Sequence, residues 1–401
     1  MFRALRHPPF RMLWAVVILG QLGYWISSVA FQWEVAHRTG NDPLALGLLY
    51  FCSFAPYLLF SLPAGMLTDS MDRRSLMVSV QAAASLLAVA ATLLATLAVM
   101  STPAVMVLSF LAGCVITIVS PASQALIAAV VPDEDLASAV PLQSAGLNLA
   151  RITGPALVGP VLLIGGPASA FGVYAVLSLG AAALAGRLGA GGPAARPVRA
   201  ASGESARRRL AAAFHHVRAR HPALPALGIV AATSVFGSAY LAQLPLIAAR
   251  VGGDSESTFP TLVTLGGIGS LIGVLSVAWR GRGLSPVPAA VQLVVLGVVM
   301  ALFGVVPSFP LLTVLMILGG GLTLSIMTSI NSILQHLVDD AQRGRVMSLY
   351  FVCWGGLLPF GGLGLGGLVR LVGAGWAFAG YGVVASLAGL ALALGARRTR
   401  A

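Results

Sequence analysis

The chain has 401 residues, 58% of them hydrophobic and 9% charged, and a mean hydropathy of +0.92. A soluble domain of this length cannot cover its surface with so few polar groups, so the composition excludes that class and indicates a polytopic membrane protein. The net charge of +12 does not signal nucleic acid. All 24 basic residues are arginines, spread along the chain between apolar runs, so the expected surroundings are a lipid bilayer and no nucleic-acid partner is expected.

Met1 to Arg11 is short and basic and leads into an apolar run of more than 20 residues. That is too long for a signal-peptide core and lacks a small-residue cleavage site, so it reads as a retained first helix with its N-terminus inside. Apolar segments separated by Gly, Pro and charge then give twelve candidate spans: 12–37, 44–67, 76–100, 104–131, 139–164, 169–188, 223–250, 259–279, 287–306, 311–337, 346–370 and 376–396. Each is long enough to cross a hydrocarbon core of roughly 30 Å, with tilt to spare in the longer ones. With both termini cytoplasmic, twenty of the 24 arginines fall inside, Arg38, Arg250 and Arg370 fall outside, and Arg151 lies within the membrane. An odd number of spans would destroy that asymmetry.

Residues 189–222 form the longest polar stretch, rich in Ala, Gly, Pro and Arg. They read as a cytoplasmic basic linker between two six-helix halves, 1–188 and 223–401. Two readings stay open for it, a short basic helix on anionic headgroups or a solvated connection that fixes topology. An internal repeat supports the halves. Gln124 precedes the acidic turn Asp133-Glu134-Asp135 after the fourth span, and Gln335 precedes Asp339-Asp340 after the tenth.

The turn between the second and third spans runs Gly65-Met66-Leu67-Thr68-Asp69-Ser70-Met71-Asp72-Arg73-Arg74. It forces two helices antiparallel, keeps its arginines inside, and supplies groups for helix caps and ion pairs. This pattern resembles the loop 2–3 signature of the major facilitator superfamily, with Ser70 where the family form carries a basic residue. Three further stretches narrow the likeness: Ser120-Pro121-Ala122-Ser123-Gln124-Ala125-Leu126, Gly146-Leu147-Asn148-Leu149-Ala150-Arg151-Ile152-Thr153-Gly154-Pro155, and Arg343-Gly344-Arg345-Val346-Met347-Ser348-Leu349-Tyr350. Together with Gln21-Leu22-Gly23 they resemble the bacterial subgroup that includes the enterobactin exporter and related siderophore and drug efflux carriers.

The resemblance implies an all-α membrane protein of two six-helix halves with both termini cytoplasmic. It also implies residue roles. Gly65, Asp69, Asp72, Arg73 and Arg74 would form an inner gate in which Asp69 and Arg73 hold the eleventh span, with Arg343 and Arg345 serving the second half. Gly146, Gly154, Pro155 and Gly159 would mark the fifth span as an antiporter-type helix. For these glycines and this proline, close packing and a freed carbonyl give a plausible pivot, while Gly and Pro are also simply common in membrane helices.

Of the acids only Glu34 lies within a span, and of the arginines only Arg151 is left within the membrane. Glu34 lies near the outer end of the first, where a carboxylate costs roughly 2.5–3.5 kcal/mol on insertion scales, so it is the proton-coupling candidate unless it only reaches an aqueous mouth. Family members carry an acid where this chain has Tyr24. Arg151 lies at about the depth of Tyr24, with Glu34 ten residues further out. It either attracts an anionic group on a substrate or is tied to backbone and to Asn148. Further polar and aromatic residues that suit a substrate cavity are Gln21, Trp25, Gln124, Tyr240, Gln243, Asn331 and Gln335; each serves equally well as interhelical hydrogen-bonding glue.

No GxxxxGK[ST] phosphate loop occurs, and His7, His37, His215, His216, His221 and His336 are scattered over both membrane faces. An enzyme and a haem carrier are therefore not expected, nor is any cofactor, catalytic residue or metal site. Cys52, Cys114 and Cys353 lie in apolar segments without CxxC spacing and suit neither a disulfide framework nor a structural metal. The expectation is a monomeric multi-pass carrier of a bacterial cytoplasmic membrane, exporting a small amphipathic molecule (a siderophore, drug or secondary metabolite) by alternating access and proton antiport. The competing readings are an uncoupled facilitator and a transporter-fold receptor or assembly factor.

Overall fold

A computed structural model describes residues 3–188, 223–252, 257–280, 285–305, 308–337, 346–347 and 349–398. The linker expected at 189–222, and Arg343 and Arg345, lie outside the described residues. Everything described is helix or short turn. A 3-10 turn, Arg3–Arg6, precedes α1 (Pro8–Thr39), α2 (Pro43–Ser70), α3 (Arg73–Thr96), α4 (Thr102–Val130) and α5 (Asp133–Arg187). The seventh expected span is a broken run: α6 (Ala223–Ala232), a π turn (Thr233–Gly237), a 3-10 turn (Ala239–Gln243) and α7 (Leu244–Gly252). Then come α8 (Thr258–Arg280), α9 (Val287–Phe303), α10 (Phe309–Leu337), a second π turn (Val352–Gly356), α11 (Leu358–Val372) and α12 (Ala374–Arg398).

Among the described residues, 10 helical runs are long and apolar enough to cross a membrane, and Val287–Phe303 is a shorter apolar helix. The fifth and sixth expected spans are continuous as α5, interrupted only where Gly165 and Gly166 leave helical geometry. Gly166 has φ 61° and ψ −159°, a conformation open to glycine alone, so the chain turns there without a loop. Helices begin earlier than hydropathy suggested: α1 starts at Pro8, because a first turn can extend into the headgroup zone while its polar residues stay wet.

Two compact units result, residues 1–34 with 55–203, and residues 35–54 with 204–401. The stretch 35–54 thus groups with the second unit, whereas the sequence placed it in the first half. The reason is local: a Cβ at Gly47 would lie 2.8 Å from the Gly362 carbonyl of α11, and Phe51 meets Phe360 edge to face at 5.7 Å.

In the first unit, Phe10, Leu13, Val16 and Val17 of α1 pack with Met77 and Val80 of α3, Leu126 of α4 and Leu142 of α5. In the second, Leu227 and Val230 of α6 pack with Leu293 of α9, Ile330 and Leu334 of α10, and Tyr350. Helix pairs there approach backbone to backbone. Gly269 and Gly273 of α8 face the carbonyls of Ile317 and Gly321, and Gly297 of α9 faces Gly382 of α12. Such contact replaces the hydrophobic drive that lipid cannot supply between helices. Large apolar side chains point outward along most helices, including Leu86, Val176 and Leu387, while Trp279 and Trp376 are exposed near helix ends, as interface anchors are.

Candidate functional site

The site in the first unit is built on α1 and α5. Gly146 and Gly154 are eight residues apart and so share one face of α5. A Cβ at Gly146 would lie 2.5 Å from Trp14 Nε1, and one at Gly154 would lie 2.6 Å from Trp25 Cβ. The Trp14 indole N–H donates to the Leu142 carbonyl at 3.1 Å, locking the same seam. Gly159 is buried and Pro155 is half-buried on the same helix. Pro155 has no N–H to give the carbonyl four residues earlier, that of Arg151.

Arg151 sits one turn before Gly154, half-buried, and its guanidinium Nη2 donates to Asn148 Oδ1 at 2.8 Å. Asn148 Nδ2 donates in turn to the Ser144 carbonyl at 2.9 Å, so the amide is fixed with its oxygen toward the arginine. Tyr57 of α2 lies within electrostatic reach of the guanidinium, a neighbour the sequence reading missed. The run Pro56-Tyr57 inside an apolar span was the available signal. Tyr24 and Trp25 meet edge to face at 5.3 Å, Tyr24 buried and Trp25 half-buried. The structure thus gathers Trp25, Gly154, Arg151, Asn148 and Tyr57 into one locality carrying a cation at mid-span.

Glu34 is 8% exposed, five residues before the end of α1, with the exposed His37 and Arg38 in the last turn. Gln21 is buried one turn before Trp25, whereas Gln124 is exposed on α4. Asn331 and Gln335 pair on α10, Gln335 Nε2 donating to Asn331 Oδ1 at 2.6 Å. Tyr240 and Gln243 are both buried in the broken seventh span.

The turn between α2 and α3 holds three of its expected residues in defined roles. Asp72 caps α3, accepting from the Ser75 backbone N–H at 2.8 Å. That bond and a second from the Ser75 hydroxyl hold its carboxyl below the usual carboxylate range, with a smaller contribution from Arg74. Arg73 Nη1 donates to the Ala125 carbonyl at 3.0 Å, and Arg74 donates to the Gly186 carbonyl. Both arginines therefore satisfy carbonyls within the first unit. Gly65 and Asp69 lie in the last part of α2, their side-chain surroundings outside what is described.

A second fastening lies nearby. His7 Nε2 and Asp135 Oδ2 are 2.8 Å apart, and the Ala4 backbone N–H donates to Ser138 Oγ at 3.1 Å. The N-terminal turn is thereby tied to the start of α5. Among the described residues, no cluster of His, Cys, Asp and Glu has the geometry to hold a metal ion.

A family model for transmembrane secretion effectors matches residues 1–399. A staphyloferrin A transporter of Staphylococcus aureus is 26% identical over 144 residues, which are 36% of this chain and 36% of that protein. The chain thus spans about a third of that relative's length in the aligned region. Among solved structures, a peptide transporter POT superposes with a TM-score of 0.72 at 15% identity, covering 98% of this chain and 95% of the other. The nucleoside transporter NupG gives 0.72 at 13% identity, covering 96% and 99%. A bacterial homologue of the human lysosomal transporter Spinster gives 0.66 at 15% identity, covering 97% and 95%. At these identities the likeness establishes the fold.

Proposed function

The chain belongs to the transmembrane secretion effector family, within the major facilitator superfamily, and on that premise we propose that it exports a small amphipathic molecule by alternating access. It is a multi-pass membrane transporter, not an enzyme. The cargo class is a siderophore, drug or secondary metabolite bearing an anionic group, and the membrane is the cytoplasmic membrane of a bacterium.

One observation carries this reading. Arg151 stands at mid-span on a glycine-faced helix, half-buried, and its guanidinium donates to the Asn148 side-chain amide within electrostatic reach of Tyr57. A cation at that depth is costly, and an anionic group on a substrate would help offset the cost. The relative named for staphyloferrin A supports a small-molecule cargo. Twelve spans with both termini inside follow if the break at Gly165-Gly166 separates two crossings and α9 makes one more. Twenty arginines then lie inside against three outside. Glu34 is the proposed proton-coupling group, and the packing of Gly146 and Gly154 on α1 is the proposed pivot, with Asp69, Arg73, Arg343 and Arg345 gating the inner side.

A second reading, an uncoupled facilitator, is favoured by Tyr24 standing where the resemblance places an acid. Everted membrane vesicles separate the two. An antiporter accumulates labelled staphyloferrin A, or another anionic probe from a siderophore and drug panel, only while a pH gradient is maintained. A facilitator equilibrates the probe without one, and a receptor or assembly factor moves none.

A further inference from the structure

His7 stands immediately before Pro8-Pro9, so α1 begins with two residues whose φ is fixed. The His7 backbone N–H donates to the Ala4 carbonyl at 3.1 Å, and the His7 carbonyl accepts from the Arg11 N–H at 3.1 Å. The turn Arg3–Arg6, His7 and α1 therefore form one hydrogen-bonded run with little slack. Ala4 is fully buried, and its N–H donates to Ser138 Oγ. Ser138 Oγ donates to the Asp135 carbonyl at 2.9 Å, and the Asp135 carboxylate meets His7 Nε2 at 2.8 Å. The pair thus joins the start of α1 to the start of α5.

The seam beyond this contact holds a polar group with nothing to bond. Gln143 is fully buried, and neither Nε2 nor Oε1 has a hydrogen-bond partner. It lies eight residues after Asp135 and three before Gly146, so the three fall along one side of α5. On that side Gly146 packs against Trp14, and the Trp14 indole donates to the Leu142 carbonyl. A buried amide without partners destabilises the closed seam, whereas water reaching it would supply both bonds. The closed seam carries an opening bias, and the contact at its end opposes that bias.

We propose that the N-terminal turn is a pH-sensitive latch: protonated His7 on the Asp135 carboxylate holds this end of the α1–α5 seam closed, and loss of the proton loosens it and lets water reach Gln143. Imidazole is the side chain that ordinarily changes charge between about pH 5 and 8, a range in which a carboxylate is ordinarily ionised. The pair is charged while the imidazole holds its second proton; as the pH rises, a weaker neutral contact remains. The side chains are 30% and 20% exposed, so protons reach them directly. Among the described side chains, the other charges around this end are committed or turned to solvent. Arg3, Arg6, Arg11, Glu134 and Arg187 are exposed. Asp72 caps α3, while Arg73 and Arg74 hold the Ala125 and Gly186 carbonyls. The latch does not depend on transport; with the termini inside, as proposed above, the pH it reads is the cytoplasmic one.

The test is backbone hydrogen exchange of the full chain in nanodiscs, by mass spectrometry at about pH 6 and about pH 8, each corrected for the intrinsic chemical rate. In wild type, peptides covering residues 3–12 and 133–144 should exchange about threefold faster at the higher pH, the scale of a partly exposed ion pair, while peptides of α12 do not change. His7→Gln and Asp135→Asn should each remove the pH dependence. Gln143→Met, which leaves no amide to hydrate, should keep the seam protected at both pH values. Equal exchange by wild type at the two pH values would overturn the latch, as would an undiminished pH dependence in His7→Gln or in Gln143→Met. Exchange is read without cargo, so failure of the latch and failure of the transporter reading are separate results.

Discussion

Arg151 and Asn148 form an i, i+3 pair on one face of α5, the guanidinium donating to the amide oxygen at 2.8 Å. The amide is itself anchored to the Ser144 carbonyl. Arg151→Gln should abolish the preference for anionic over neutral cargo in vesicle transport while neutral cargo still moves. Asn148→Ala should weaken the preference several-fold without removing it, because the charge remains. Intact transport of every anionic probe by Arg151→Gln would remove the anion site.

The seam between α1 and α5 tolerates little added volume. A Cβ at Gly154 meets Trp25 Cβ at 2.6 Å, an atom close to the backbone that cannot swing away. Gly154→Ala should therefore destabilise the protein by about 1–3 kcal/mol. Gly180→Ala, whose Cβ would lie 4.0 Å from Leu19, should be neutral or slightly stabilising through helix propensity. Melting of the two variants in detergent decides the matter; equal melting temperatures would contradict the packing argument.

Removing an unpartnered hydroxyl removes no bond. Tyr240→Phe and Thr323→Val should leave the melting temperature unchanged or raise it, since each deletes a buried orphan from the second unit. A marked fall for either variant would show that these groups are paired after all.

Asp72 gives a pH signature. Its carboxyl is held below the ordinary range by the cap bonds to Ser75. A depressed native value stabilises above the unfolded value, near 3.9 for Asp, and that stability is lost as pH falls through the lower native value. Asp72→Asn keeps an uncharged cap. Wild type should melt above this variant at pH 6, with the gap closing as the pH drops below about 4. A gap independent of pH would assign the effect to shape rather than charge.

Much of the helical framework was legible because membrane spans are written in composition: long apolar runs, sparse charge and arginines at helix ends. The Arg151–Asn148 pair was legible too, since three-residue spacing on a helix brings side chains together. The breaks were not. Thr233–Gly237 reads as ordinary apolar helix, and the close approach of Gly361 of α11 to the Ser234 and Val235 carbonyls in its π turn is a tertiary contact. Thr323 follows Gly319-Gly320-Gly321 and reads as interhelical packing; only the fold sets it beside Tyr240. The short join at Gly165-Gly166 was expected as a loop, because two apolar runs flank it and the left-handed turn leaves no compositional mark. The arginines of the α2–α3 turn carried a gating expectation from resemblance, while in this structure Arg73 and Arg74 satisfy carbonyls of Ala125 and Gly186.

The central claim is coupled export, and the most direct measurement is substrate-triggered proton release from proteoliposomes, wild type against Glu34→Gln. A siderophore and amphipathic-drug panel including staphyloferrin A serves as the source of cargo. The account predicts a proton signal with wild type that disappears in Glu34→Gln while labelled cargo still moves downhill. Cargo movement without any proton signal in wild type, or an undiminished signal in Glu34→Gln, would contradict it.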